Sequence, residues 1–330
     1  MEKIEKLKKI FKREKIDGYI IPKNDEFFSE YIPDHNDRLN FISGFSGSYG
    51  LALILKDKNY LFVDGRYTLQ ANNQSKKNFE VVTIPEKMPS DILRRRKLLI
   101  GFDPNLFTKK SLSIFFGKSE CKFKPLLKNL IDAIWKRKVK KNKNKFFVLP
   151  AGSVGEKYQL KINKITNYLK RRKSDFLFIT ASENNAWLFN IRGRDTKYTP
   201  IPYSYVLIDK NKNIKFFCDL KKISSTFKNY FNFEFLDIKI CFKILSKIKR
   251  SKFIIDKSSC SYFFENIIGK NNKILSFQDP IYFFKSIKGR QEIENIKKAH
   301  VFDGVALTKY LFWLKKNFDK KKITEISASQ

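Results

Sequence analysis

The chain is 330 residues long, is 42% hydrophobic with 33 Phe and 14 Tyr, and carries a formal net charge of +35. That length exceeds one ordinary core, so two or three domains are expected, and the apolar content excludes wholesale disorder. The charge alone would point to a polyanion partner, but it comes from 55 Lys against 13 Arg in a chain rich in Ile, Asn and Phe, a compositional bias that requires no partner.

Residues 1–16 read as an amphipathic helix with Ile4, Leu7, Ile10 and Phe11 on one face. They lack the apolar run of a secretory signal, and no window of the chain reaches the roughly 18 consecutive apolar residues of a membrane span. Residues 18–22 (GYIIP) read as a buried strand and residues 42–50 (ISGFSGSYG) as a turn-rich segment. A hairpin follows, with residues 51–55 (LALIL) and 60–64 (YLFVD) joined by Lys56-Asp57-Lys58-Asn59. Residues 81–84 and 98–103 add strands, and a helix is expected from about Thr108. This is an alternating α/β order. The basic run 136–145 (KRKVKKNKNK) contains no acid and reads as an exposed inter-domain linker.

The pattern then repeats. Residues 17–21 (DGYII) match 175–179 (DFLFI), the hairpin matches 205–209 (YVLID) and 214–219 (IKFFCD), and 99–103 (LIGFD) matches 253–256 (FIID). Aligning Asp17 with Asp175, Asp64 with Asp219 and Asp103 with Asp256 gives offsets of 158, 155 and 153. Nearly constant offsets imply two copies of one α/β domain, residues 1–145 and 150–282. A third segment, 283–330, carries one or two amphipathic helices, with Gly304 as a candidate point of close packing and Thr324 or Ser327 as a candidate cap of a new helix.

Few residues offer chemistry. The chain has two histidines, His35 in a polar loop (Asp34-His35-Asn36-Asp37) and His300 on the late helix. Neither belongs to a metal-ligand spacing. Cys121, Cys218, Cys241 and Cys260 are scattered and read as reduced thiols. No nucleophile elbow, phosphate loop or dinucleotide fingerprint is present. There is no zinc-finger spacing, RNP-like segment or basic heptad stripe either, so no nucleic-acid partner is expected. Two polar turns beside strands remain as candidate ligand or interface positions. One carries Arg66 and Tyr67 (DGRYT, 64–68), the other Arg192 and Asp195 (NIRGRD, 190–195).

These segments resemble signature regions of the aminopeptidase P (Xaa-Pro aminopeptidase) family. The resemblance runs from Asp37-Arg38-Leu39 through Phe45-Ser46-Gly47-Ser48 to Asp64-Gly65-Arg66-Tyr67-Thr68-Leu69-Gln70-Ala71, and returns at residues 186–195 (AWLFNIRGRD), Asp279-Pro280-Ile281 and residues 303–307. It implies two tandem creatinase-N-like α/β domains followed by the first helices of an incomplete pita-bread domain. It also implies an enzyme that removes the N-terminal residue from peptides with proline second, using two manganese ions, and the scattered reduced thiols make the cytoplasm its expected location. Their Asp, His and Glu ligands match no residue here. The expectation is therefore a truncated chain, inactive alone, with no catalytic or metal residue and with Arg66, Tyr67, Arg192 and Asp195 at a substrate rim or homo-oligomer contact. The alternatives are a non-enzymatic binding or oligomerisation module built from the same domains, or a basic nucleic-acid binder.

Overall fold

The computed structural model describes residues 2–137, 144–320 and 322–329, so most of the basic run at 136–145 lies outside the described residues. The first sheet contains β1 (Gly18–Pro22), β2 (Leu51–Leu55), β3 (Asn59–Asp64), β4 (Glu80–Ile84), β5 (Leu99–Phe102) and β6 (Lys122–Pro125), in the order β4-β3-β2-β1-β5-β6. β2 runs antiparallel to β1 and to β3, and the remaining pairs are parallel. Every residue of β1 and β2 is buried, which is why both read as unbroken apolar runs. Alternate side chains feed opposite faces. Tyr19, Ile21, Ala52 and Ile54 join Ile4, Leu7 and Phe11 of the first helix, while Ile20, Leu51, Leu53 and Leu55 pack with Phe102 and Phe107.

After the two-residue strand β7 (Phe147–Val148) the plan recurs. β8 (Phe176–Ile179), β10 (Tyr205–Asp209), β11 (Ile214–Cys218), β12 (Glu234–Asp237), β13 (Lys252–Ile255) and β14 (Lys273–Ser276) form a second sheet, while β9 (Ile191–Arg192) pairs with β7 outside it. The sheet order is β12-β11-β10-β8-β13-β14, with strand directions identical, position for position, to those of the first sheet.

The repeat extends to individual hydrogen bonds. Asp17 accepts the Leu99 amide at 3.0 Å and the Lys56 ammonium at 2.7 Å. Asp175 accepts the Lys252 amide at 2.9 Å and the Lys210 ammonium at 2.8 Å. Each carboxylate thus ties the entry of a central strand to its parallel neighbour and to the turn of the hairpin. Asp103 and Asp256 also correspond. Asp103 accepts from Asn129, the N-cap of helix Leu130–Ile134, and Asp256 accepts from the backbone of Asp279, the N-cap of helix Pro280–Ser286.

The domains meet through aromatic and polar contacts. Phe27 stacks on Tyr203 at 4.1 Å, the Tyr203 hydroxyl donates to buried Asp25 at 3.0 Å, and the Tyr205 hydroxyl donates to the Glu26 carbonyl at 2.7 Å. On the other side, the Tyr262 and Phe263 amides donate to the Phe107 and Pro104 carbonyls. Beyond the second domain a single helix runs from Arg290 to Asn317, rooted by Asn295 donating to the Gly152 carbonyl, with none of its residues buried. Gly304 does not mark close packing, because a Cβ there would meet nothing within 4 Å. Thr324 does cap a short terminal helix, Glu325–Ser329, by accepting the Ser327 amide.

The repeated carboxylate ties predict matched losses. Asp17→Ala and Asp175→Ala should each lower unfolding free energy by about 1–2 kcal/mol in urea titrations at pH 7. The Leu99 amide and then Lys56 hold Asp17 below its usual 3.8, and Lys210 and then the Lys252 amide do the same for Asp175. A depressed carboxylate contributes stability above its unfolded pKa and loses it as pH falls through the folded one. The gap between wild type and variants should therefore close on acidification below about pH 4.

Candidate functional site

The first candidate turn grows from the end of β3. Asp64 accepts the Arg66 amide at 3.0 Å, which closes the single turn Gly65–Tyr67, and the Arg66 guanidinium folds back on the same carboxylate at 2.7 Å. The Arg66 side chain is 73% exposed. Its guanidinium lies 5.3 Å from the Tyr67 ring, whose hydroxyl is 2.6 Å from Ser48 Oγ. Arg66 and Tyr67 therefore form one unit, the Tyr67 ring half-buried against Phe45 and the Arg66 guanidinium exposed with donors left over for a ligand.

The second turn is built more deeply. Asn190 adopts φ 56°, placing its side chain to accept from the Lys161 ammonium at 2.6 Å and donate to the Glu156 carbonyl at 2.8 Å. Burial pulls the Lys161 pKa down to about 8. Gly193 is required by close approach, since a Cβ would lie 2.7 Å from Pro202 Cα. Arg192 is half-buried and donates to the Ala186 and Ile191 carbonyls, and burial lowers its pKa. Asp195 has a side chain only 2% exposed, paired with Lys222 and accepting the Tyr203 amide at 2.8 Å. Arg192 and Asp195 thus do not pair with each other. The contacts of Arg66 and Tyr67 run within the first domain and those of Arg192 and Asp195 within the second.

A third arrangement escaped sequence reasoning. Arg38, 3% exposed, donates to Asp132 at 2.8 Å and to Glu26 at 2.5 Å, and Arg137 pairs with the same Asp132. The Arg38–Asp132 partners are 94 residues apart, so no local spacing reveals them. His35 sits beside this network. Burial and then Arg137 pull its pKa below 6.5, so it is neutral at pH 7.

A manganese pair needs several carboxylates and imidazoles converging on one point. Among the described residues no group of three or more His, Cys, Asp or Glu is placed to hold a metal. Burial and the Arg137 charge outweigh the carboxylates near His35 and disfavour a second cation there, and His300 is exposed on the long helix. The residues present do not fit such a centre.

Differential burial sets the mutational expectation. Asp195→Ala strands Lys222 in a largely buried position and should cost about 3 kcal/mol, whereas Arg66→Ala removes only an exposed ion pair and should leave stability indistinguishable from wild type. Chemical denaturation of both variants checks the contrast.

Comparison with known proteins agrees with the duplicated architecture. Residues 3–132 and residues 137–292 each match a family described as the Creatinase/Prolidase N-terminal domain. Probable Xaa-Pro aminopeptidase P of Laccaria bicolor is 30% identical over 100% of this chain and 53% of its own length. The corresponding protein of Paracoccidioides lutzii is 31% identical over 98% of this chain and 57% of its own. The crystal structure of X-prolyl aminopeptidase from Caenorhabditis elegans, described as a cytosolic enzyme with a di-nuclear active site, superposes with a TM-score of 0.90 at 26% identity, covering 99% of this chain and 58% of that one. The chain thus spans little more than half the length of the relatives it matches. The chain is thus similar over nearly its whole length to part of these aminopeptidases, and by its two α/β domains it belongs to the creatinase/prolidase N-terminal domain family.

Proposed function

We propose that these 330 residues supply the N-terminal, cleft-covering part of a cytoplasmic, manganese-dependent aminopeptidase that removes the residue preceding proline from peptide N-termini. The observation that carries this reading is the likeness of 99% of this chain to 58% of the worm enzyme, at a TM-score of 0.90. The proposed division is 1–145, 150–282 and 283–330, the last opening the pita-bread catalytic domain. That placement is supported by the long helix Arg290–Asn317, on which Phe302 is 75% exposed and Leu311 and Trp313 also face solvent. A helix apolar on several sides belongs inside a larger fold.

In this reading Arg66, Tyr67 and Arg192 present donors at a substrate rim or at a contact between copies, and Asp195 braces the turn that carries Arg192. The described residues contain no fitting metal-ligand group, so the manganese pair would depend on ligands outside them and no chemical step is assigned to this chain. The domain pair acting as a non-enzymatic oligomerisation module is the second reading, favoured by the same exposed helix.

Incubation of the isolated chain with manganese and a peptide carrying proline second should yield no turnover above buffer. Robust hydrolysis would overturn the reading. Sedimentation should show self-association relieved by Phe302→Asp with Leu311→Asp, at an unchanged melting temperature. A monodisperse wild-type monomer with the helix protected from hydrogen exchange would count against an uncovered helix.

A further inference from the structure

A pocket of about 280 Å³ lies where the two domains meet. The first domain lines it with Phe27, Phe28 and Glu30, and the second with Glu183, Thr196 and Thr199. Among the described residues no lysine or arginine lines it, although the chain is strongly basic. The pocket therefore combines an aromatic wall, hydroxyls and two carboxylates, one from each domain.

The walls are fixed before any ligand arrives. Asp25 accepts the Phe27 and Ser29 amides, each at 3.0 Å, and this tight turn holds Phe28 at φ 54°. The stack of Phe27 on Tyr203 anchors the turn to the other domain. Opposite, Thr196 and Thr199 bond to one another through their hydroxyls at 2.6 Å. Such preorganisation removes much of the ordering cost of binding.

One carboxylate is not consumed by the fold and the other is only partly so. Glu30 is solvent-exposed and belongs to none of the ion pairs of the described residues. Glu183 receives the Tyr282 hydroxyl on one oxygen at 2.8 Å. The nearby Lys285 ammonium donates instead to Asn184 at 2.7 Å. The pocket thus offers acceptors for a cation beside an apolar surface, in a volume suited to one amino-acid-sized group.

We propose that this inter-domain pocket binds a small primary ammonium bearing an apolar group, with the ammonium between Glu30 and Glu183 and the apolar part against Phe27 and Phe28. The site lies entirely within this chain and stands whether or not the peptidase reading holds. A free amine and a peptide N-terminus share this chemistry, and their sizes separate them.

Calorimetric titration of the 330-residue chain tests the proposal with L-leucinamide, a leucyl tripeptide amide and neutral N-acetyl-leucinamide. Saturable binding of leucinamide is expected, weakened roughly tenfold by Glu30→Gln with Glu183→Gln and by N-acetylation. Binding of the tripeptide amide as well would assign a peptide N-terminus, and its exclusion a small free amine; both support the site. Glu30→Gln alone, at an exposed position that no fold contact uses, should weaken binding several-fold. No saturable binding to wild type, equal affinity for the acetylated compound, or unchanged affinity in the double variant would each overturn the proposal.

Discussion

One carboxylate at the entrance of each central strand organises its domain. Asp17 and Asp175 accept from the neighbouring parallel strand and from a lysine of the hairpin turn, so three segments distant in sequence converge on one side chain. Once that convergence is set, the register of the antiparallel hairpin and of the parallel neighbour follows, and the alternating apolar residues face their proper layers. The same bonds in both copies make the duplication physical as well as topological.

The inter-domain contact builds on this frame. Phe27, Tyr203 and Tyr205 bring two aromatic surfaces together, and Asp25 satisfies the Tyr203 hydroxyl within them. Burial raises the Asp25 pKa, opposed by the amides that donate to it, so the group is costly unless every bond is made. Such a contact resists sliding of one domain on the other. The long helix is different. It is rooted near Gly152 and Gly155, and beyond that root its residues face solvent.

The duplicated plan was legible because short buried strands leave unbroken apolar runs, and the Asp at their ends recurs at near-constant offset. The turns carrying Arg66 and Arg192 were legible as polar islands beside strands. Their internal bonding was not. Asp195 finds Lys222 and the Tyr203 amide only through the fold, while Arg192 spends donors on nearby carbonyls. The Arg38–Asp132 pair and the Asp25–Tyr203 bond join residues 94 and 178 positions apart, beyond any periodicity. Gly304 misled because a glycine inside a helix implies a close neighbour, and this helix has none there.

The two domains supply a shaped surface, and among the described residues no cluster of His, Cys, Asp or Glu is placed to hold a metal. Equilibrium dialysis of the 330-residue chain against manganese measures this most directly. The expected result is no saturable binding in the micromolar range. Two ions held tightly per chain would contradict it.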